Sequence, residues 1–364
     1  MQSIGIDAVG IGAAAAVFLV FSLVFDIPAG ILADKWSRKG TLAISAVALA
    51  VASVILGASH SLPLYMVGEI FYGLYFVCTS GTYHAMVYDI LHEEGRTKEY
   101  SKVAGRAYAL FLVGAGVANA AAGFIAGQFS FRTTFYITIV SCAVNILVIA
   151  SIHEPKFHKA EKKERMLKQL KQASSAIFTV KLLQILAVVM TALAVGDLFV
   201  SEFGQLYMLR YVSTPQLIGL VWSVYAFAWA FGSFIAHHFR ARLDILMVCA
   251  ALPLVAMSFI DNWFGLVLLV VQVVAAAAMV NQIETRVQEN TPSAVRTSVL
   301  SVLSAAGTAI SIPASFMLGW LIREYNALWA VRFIAIIISL ALLYWLWSTR
   351  NIPKSNEPVL ATSA

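Results

Sequence analysis

Four carboxylates stand inside stretches that are otherwise apolar: Asp26, Glu69, Asp197 and Glu202. An ionisable group at the centre of a bilayer costs about 2.5–3.5 kcal/mol or more, so each needs a partner, a cavity or a task. Burial favours the neutral, protonated form of a carboxyl, which suits proton carriage. On that ground Asp197 and Glu69 are the leading candidates, and Glu202 and Asp26 follow. The structural alternative is a carboxyl hydrogen-bonded to neighbouring helices. The amides Asn119, Asn145 and Gln205 also fall in apolar runs, where they line a polar cavity or bridge helices.

Other chemistries find no footing in the sequence. It has no Gly-x-x-x-x-Gly-Lys-[Ser/Thr] phosphate loop, no His-Glu-x-x-His and no Cys-x-x-Cys. Cys78, Cys142 and Cys249 are scattered through apolar runs and form neither a disulfide framework nor a metal site. The expectation is a protein that is not an enzyme and needs no metal or cofactor.

The elements that must position these groups follow from composition. The 364 residues are 60% hydrophobic and 12% charged, with mean hydropathy +0.82. Soluble domains are about 45–50% apolar and about 25% charged, so this excess points to a polytopic membrane protein. Eleven apolar segments are predicted, at 9–33, 41–59, 62–88, 104–127, 132–152, 180–209, 215–238, 243–260, 262–283, 298–322 and 326–348. A helix of about 20 residues crosses about 30 Å of hydrocarbon. Long unbroken apolar runs satisfy their backbone hydrogen bonds there only as helices. The first run lacks a basic leader and is read as a span, not a cleaved signal.

Between the first two runs lies Asp26-Ile27-Pro28-Ala29-Gly30-Ile31-Leu32-Ala33-Asp34-Lys35-Trp36-Ser37-Arg38-Lys39-Gly40. Gly30 is expected to allow close helix approach. Asp34, four residues on, is expected to face a helix N-terminus or an arginine. If this turn is cytoplasmic, 21 of the 25 Lys+Arg fall on the inner side, and only Arg132, Arg210, Arg323 and Arg332 fall outside. The positive-inside rule then puts the N-terminus outside and the C-terminus in the cytoplasm of an inner or plasma membrane. The net charge of +6 is thus topological rather than a nucleic-acid footprint. Asp89 and Arg106, flanking the inner loop 90–105, are expected to pair as a latch.

Residues 153–179 form the longest polar stretch and are read as a cytoplasmic linker, with an amphipathic helix at 161–170 lying on the anionic leaflet. Val9-Gly10-Ile11-Gly12 opens the first run much as Gln216-Leu217-Ile218-Gly219 opens the seventh. A period near 200 residues on either side of a polar connector is the pattern of a two-bundle secondary transporter. By that offset the helix at 180–209 has its equivalent ahead of Met1.

Gly30-x-x-x-Asp34-Lys35-x-x-Arg38-Lys39, preceded by Asp26-x-Pro28-x-Gly30, resembles the signature loop between helices 2 and 3 of the major facilitator superfamily. The resemblance covers essentially the whole chain, minus the family's first helix. It implies two helical bundles with pseudo-two-fold symmetry around a cavity that opens alternately to each side. It also implies that Gly30, Asp34, Lys35, Arg38 and Lys39 belong to a cytoplasmic latch. Three positions depart from the family pattern. Ser37 replaces a glycine, which makes the tight turn less favourable. Glu69 stands four residues before Gly73, where the family places an arginine linked to proton coupling. Gly114 and Gly123 echo the helix-5 antiporter motif, but Asn119 replaces its proline.

The sequence is therefore read as an all-α polytopic membrane protein of about 11 transmembrane helices, five plus six. Residues 1–152 form an N-terminal bundle, 153–179 the linker, 180–351 a C-terminal bundle and 352–364 a cytoplasmic tail. The expected function is secondary transport of a small solute with the proton as coupling ion, resembling drug efflux, by a monomer in the lipid bilayer. The competing reading is a truncated, non-transporting member acting as a binding or scaffold partner.

Overall fold

The computed structural model describes residues 5–154, 172, 174–239, 242–291 and 296–350, and among these it is all-helical. The expected amphipathic helix at 161–170 and the tail at 352–364 lie outside the described residues. The helices are α1 (Ala8–Lys35), α2 (Arg38–Ala58), α3 (Leu62–Glu93), α4 (Tyr100–Gln128), α5 (Phe131–Ser151), α6 (Lys181–Leu198), α7 (Gly204–Met208), α8 (Pro215–Ile235), α9 (Leu243–Met257), α10 (Phe264–Glu289), α11 (Arg296–Glu324) and α12 (Ala327–Thr349). A π-helical turn, Phe199–Phe203, joins α6 to α7 into one apolar span. Ten spans among the described residues are long and apolar enough to cross a membrane. The exception is α9, which has 15 residues and so is about 22 Å long. The apolar run at 243–260 predicted a full-length span there, but three of its residues fall in the turn that follows the helix.

Helix starts follow local chemistry. The Gly10 amide donates to Asp7 Oδ1 at 2.8 Å, the Gly40 amide to Ser37 Oγ at 2.7 Å, and the Leu328 amide to Asn326 Oδ1 at 2.9 Å. Each side chain satisfies an amide that has no partner within its own helix. Long apolar runs then carry the helices across, because in hydrocarbon the backbone has nowhere else to bond.

The chain divides into two compact units, Met1–Ala160 with Val212–Ser223, and Glu161–Tyr211 with Val224–Ala364. In the first, α2 packs on α3 and α5, α1 on α3, and α4 on α5. Its core gathers Leu42 and Ala46 of α2, Met86 of α3 and Ile149 of α5, with a second cluster of Ala29, Val77 and Cys78 between α1 and α3. In the second unit, α9 packs on α10 and α12, and α11 on α12, with α6 seated against α11, α12 and α10. Leu183, Ile185 and Leu186 of α6 are fully buried there.

The two units share more than helix order. Arg132, in the first turn of α5, donates from Nη2 to the carbonyl of Ser59, the C-cap of α2, at 3.1 Å. Arg332, near the start of α12, donates from Nε to the carbonyl of Ser258, the C-cap of α9, at 3.2 Å. Each arginine satisfies the orphan carbonyls at the negative end of a helix. Arg132 and Arg332, two of the four cations that the sequence reading expects on the outer side, are thus each engaged at a helix end.

Candidate functional site

The turn between α1 and α2 is a closed network of charges. Ser37 is extended, caps α2, and donates its own hydroxyl to Glu154 Oε2 at 2.6 Å. Glu154 lies just past α5, and its Oε1 accepts from the Arg38 amide at 2.8 Å and the Lys39 amide at 3.4 Å. A carboxylate thus sits on the positive N-terminus of α2. Lys39 Nζ reaches the other way, to the carbonyls of Ala150 and Ile152 at 2.6 and 2.8 Å, on the negative end of α5. The ends of α2 and α5 are therefore cross-capped by opposite charges.

Arg38 is only 7% exposed. Its guanidinium donates to Asp89 of α3 and, through Nη2, to Asp34 Oδ1 at 3.3 Å. One buried cation between two carboxylates ties α1, α2 and α3 together. Lys35 is exposed beside it.

This geometry corrects three sequence expectations. Asp89 pairs with Arg38 rather than with Arg106, which is exposed on α4. Arg38 reaches Asp89 because it begins α2 next to the end of α3, a neighbour relation that loop spacing does not encode. Gly30 is exposed, and among the described residues a Cβ there would meet nothing within 4 Å, so no described neighbour makes the close approach expected there. Ser37, in the glycine position, supplies the N-cap of α2 rather than a weak point. Glu154 was missed entirely. Its only sequence signal is a carboxylate just after an apolar run, because its partners lie more than a hundred residues away.

The second polar region is on α6 and α7. Most of this span is buried, but Asp197, Ser201 and Gln205 are exposed, and they recur every four residues along one stripe. Phe199, Phe203 and Tyr207, between them, are buried. Ser201 Oγ donates to the Asp197 carbonyl at 2.9 Å, the back-bonding common for hydroxyls in helices. The π turn begins two residues after Asp197. Its i→i+5 pattern carries Glu202, which is half-buried, toward the side of Asp197, whereas an α-helix would turn it away. Among the described residues neither carboxylate has a lysine or arginine partner. The sequence placed Asp197, Glu202 and Gln205 on the one run 180–209. The structure adds Ser201 and the π turn between Asp197 and Gln205.

The other candidates are dispersed. Asp26 is exposed on α1 and accepts a hydrogen bond from Ser80 of α3. Glu69 is half-buried on α3 and has a polar partner. Asn145 is exposed on α5. Asn119 holds helices together: its Nδ2 reaches the Trp222 carbonyl at 3.4 Å, and nearby Ser223 Oγ donates to the Gly116 carbonyl at 2.5 Å. In the same crossing, a Cβ on Gly123 would come within 2.8 Å of the Gly219 Cα. Glycine is required at this approach of two backbones.

Comparison with known proteins places this architecture. The chain is 25% identical over 139 residues to an uncharacterized transporter of Buchnera aphidicola subsp. Acyrthosiphon pisum, which is 38% of this chain and 34% of the relative. A second uncharacterized transporter, from Buchnera aphidicola subsp. Schizaphis graminum, is 27% identical over the same length. The match thus spans about a third of these curated relatives. A variant of the nucleoside transporter NupG superposes with TM-score 0.75 at 15% identity, covering 95% of this chain and 92% of that one. A D-xylose-proton symporter superposes with TM-score 0.72 at 14% identity, covering 93% and 87%. At these identities the likeness is one of fold. The profile of the Major Facilitator Superfamily matches residues 1–309. This multi-pass membrane protein belongs to the Major Facilitator Superfamily.

Proposed function

We propose that the chain is a secondary transporter that moves a small solute by alternating access, with protons as the coupling ion. The observation that carries this reading is the accessible polar stripe Asp197-Ser201-Gln205, with Glu202 on the adjoining π turn, in a helix that is otherwise buried. Two carboxylates without a fixed cation take up and release protons more readily than a paired carboxylate does. Moving one charge across 100 mV is worth about 2.3 kcal/mol, enough to bias a transport cycle. The hydroxyl and amide of Ser201 and Gln205 offer hydrogen bonds to a polar solute. A resemblance in fold to a D-xylose-proton symporter supports the same reading.

The cation distribution supports an orientation with the α1–α2 turn and the C-terminus in the cytoplasm of the cell's inner or plasma membrane. In this reading the Arg38 network is a cytoplasmic latch, and Glu69 is a second proton-carrying candidate. The test is pH-gradient-driven transport in proteoliposomes, using a compound selected by a growth screen against toxic solutes. Asp197→Asn and Glu202→Gln are each expected to abolish the response to the gradient while leaving folded yield intact. Unchanged gradient-driven transport in both variants would sink the assignment.

A further inference from the structure

The polar stripe of α6 and α7 has a neighbour in the second unit. α11 packs along α6 and against the π turn Phe199–Phe203. Where the two helices meet, a Cβ on Gly307 would sit 3.0 Å from the Ala194 Cβ. Along α11, hydroxyls recur at Ser301, Ser304, Thr308, Ser311 and Ser315, every third or fourth residue and so along one face. Ser301 and Ser304 are exposed, Thr308 is half-buried, and Ser311 and Ser315 are buried.

Between these helices α8, α9 and α10 each reverse the chain, so α6 and α11 run parallel. At about 100° per residue, Asp197 is turned about 60° one way from Ala194, and Ser304 and Thr308 about 60° and 100° the other way from Gly307. Opposite turns on parallel neighbours face the same side of their seam. Asp197 and Ser201 of α6 therefore share one side with Ser304 and Thr308 of α11. Thr308 Oγ1 donates to the Ser304 carbonyl at 3.1 Å, just as Ser201 Oγ donates to the Asp197 carbonyl. A hydroxyl has one hydrogen, so both oxygens keep only lone pairs for a ligand. Together with the carboxylates of Asp197 and Glu202, which have no lysine or arginine partner among the described residues, they make a surface of acceptors.

We infer that the α6–α11 seam takes a small, hydrophilic protonated amine, with Ser304 and Thr308 as specificity-determining residues beside Asp197 and Ser201. The inference rests on the transport reading above and names the class of its solute. An ammonium group brings three N–H donors to the acceptors and a positive charge to the carboxylates. An anionic solute would meet two like charges. A neutral polyol would leave those charges uncompensated inside the membrane. The seam also favours a small ligand without rings. Thr191 and Ala194, which continue the stripe on α6, are small and half-buried, whereas Phe199, Phe203 and Tyr207 of the same span are buried. The two stripes thus offer no aromatic face to a large lipophilic cation.

The experiment is thermal unfolding of the full purified chain in detergent, because a ligand that binds only the folded state raises the melting temperature. Methylammonium and ethanolammonium chlorides are titrated against sodium chloride, tetraphenylphosphonium chloride, xylitol and sodium gluconate at matched ionic strength. Only the two amines are expected to raise the melting temperature. Their dissociation constants, read from the shifts, are expected to weaken about tenfold in Thr308→Val, which removes one acceptor for a charged donor at nearly constant volume. Thr308→Ser, which keeps the hydroxyl, is expected to bind as the wild type does. No shift with either amine overturns the inference, and so does an equal shift with sodium ion, tetraphenylphosphonium, xylitol or gluconate. Amine binding that is unchanged in Thr308→Val removes α11 from the site and overturns it too. The melts read which solute binds, and the gradient-driven assay reads whether protons drive its movement, so the two readings can fail separately.

Discussion

The corresponding ends and faces of the two units differ in opposite ways. At the start of α2, Arg38 is buried between Asp34 and Asp89, and Glu154 sits on the helix N-terminus. At the start of α9, the corresponding arginine, Arg242, is 61% exposed along its side chain and stands 3.7 Å from Asp244. Conversely, the α11–α12 face is filled by α6, whereas the α4–α5 face is open among the described residues. The first unit invests its polar chemistry in a helix-end network, and the second in an accessible stripe on a packed span. A repeated backbone plan therefore does not oblige its halves to share either chemistry.

The largest expected effect separates the two helix starts. Arg38→Ala leaves Asp89 without its cation and is expected to cost about 3 kcal/mol, since breaking a desolvated pair strands the remaining charge. Arg242→Ala is expected to change stability by less than about 0.5 kcal/mol. Thermal unfolding of the two purified variants in detergent would measure both, and equal shifts would erase the contrast.

A smaller difference is expected between two glycines, Gly307 of α11 and Gly114 of α4. Gly307→Leu forces side-chain volume against Ala194 and is expected to cost about 1–3 kcal/mol. Gly114→Leu is expected to cost nothing, because among the described residues a Cβ there would meet nothing within 4 Å. Melting curves of both variants would sharpen the comparison of the filled and unfilled faces.

Glu154→Gln keeps hydrogen-bonding capacity but removes the charge at the N-terminus of α2. It is expected to cost about 1 kcal/mol. Arg132→Gln and Arg332→Gln are expected to lose about 1 kcal/mol each and by equal amounts, because they make the same helix-end contact in the two units. Unequal losses, read from the same melts, would show that the repeat is geometric without being energetic.

The smallest effect concerns acid. Arg210 Nη2 donates to Asp261 Oδ2 at 2.6 Å and the Tyr211 hydroxyl to Oδ1 at 2.8 Å. The Arg210 guanidinium, with help from Tyr211, holds the Asp261 carboxyl below its usual range. A depressed folded value means that this contribution is present above the unfolded value of about 3.9 and is lost as pH falls through the folded one. The pair is exposed, so solvent screening keeps the contribution small. Asp261→Asn is expected to flatten slightly the fall of the melting temperature between pH 5 and pH 3, as about one pH decade on each side of the transition should register. An unaltered profile would remove Asp261 from the account.

Much of this protein is legible in the sequence because hydrocarbon leaves few choices. Apolar runs of bilayer length become helices, so the helical class and the places of most spans follow directly. The family signature is also local, since Gly30, Asp34, Arg38 and Lys39 fall within ten residues of one another. Individual carboxylates such as Asp197 stand out because each is an exception in an apolar run.

Partners are another matter. Glu154 on the Ser37 cap, Arg38 on Asp89 instead of Asp89 on Arg106, and the caps made by Arg132 and Arg332 all join residues 50 or more positions apart. Spacing fixes what can meet along one helix, but which helices lie side by side is set by packing. The same limit explains Gly30, a glycine that the sequence marks for close approach and that faces open space in this structure. A glycine permits contact, and only a neighbouring helix makes it. Composition and charge determined by themselves that this chain is a helical membrane protein. The tertiary structure decided which polar groups meet, because each contact depends on two helices whose pairing neither one encodes.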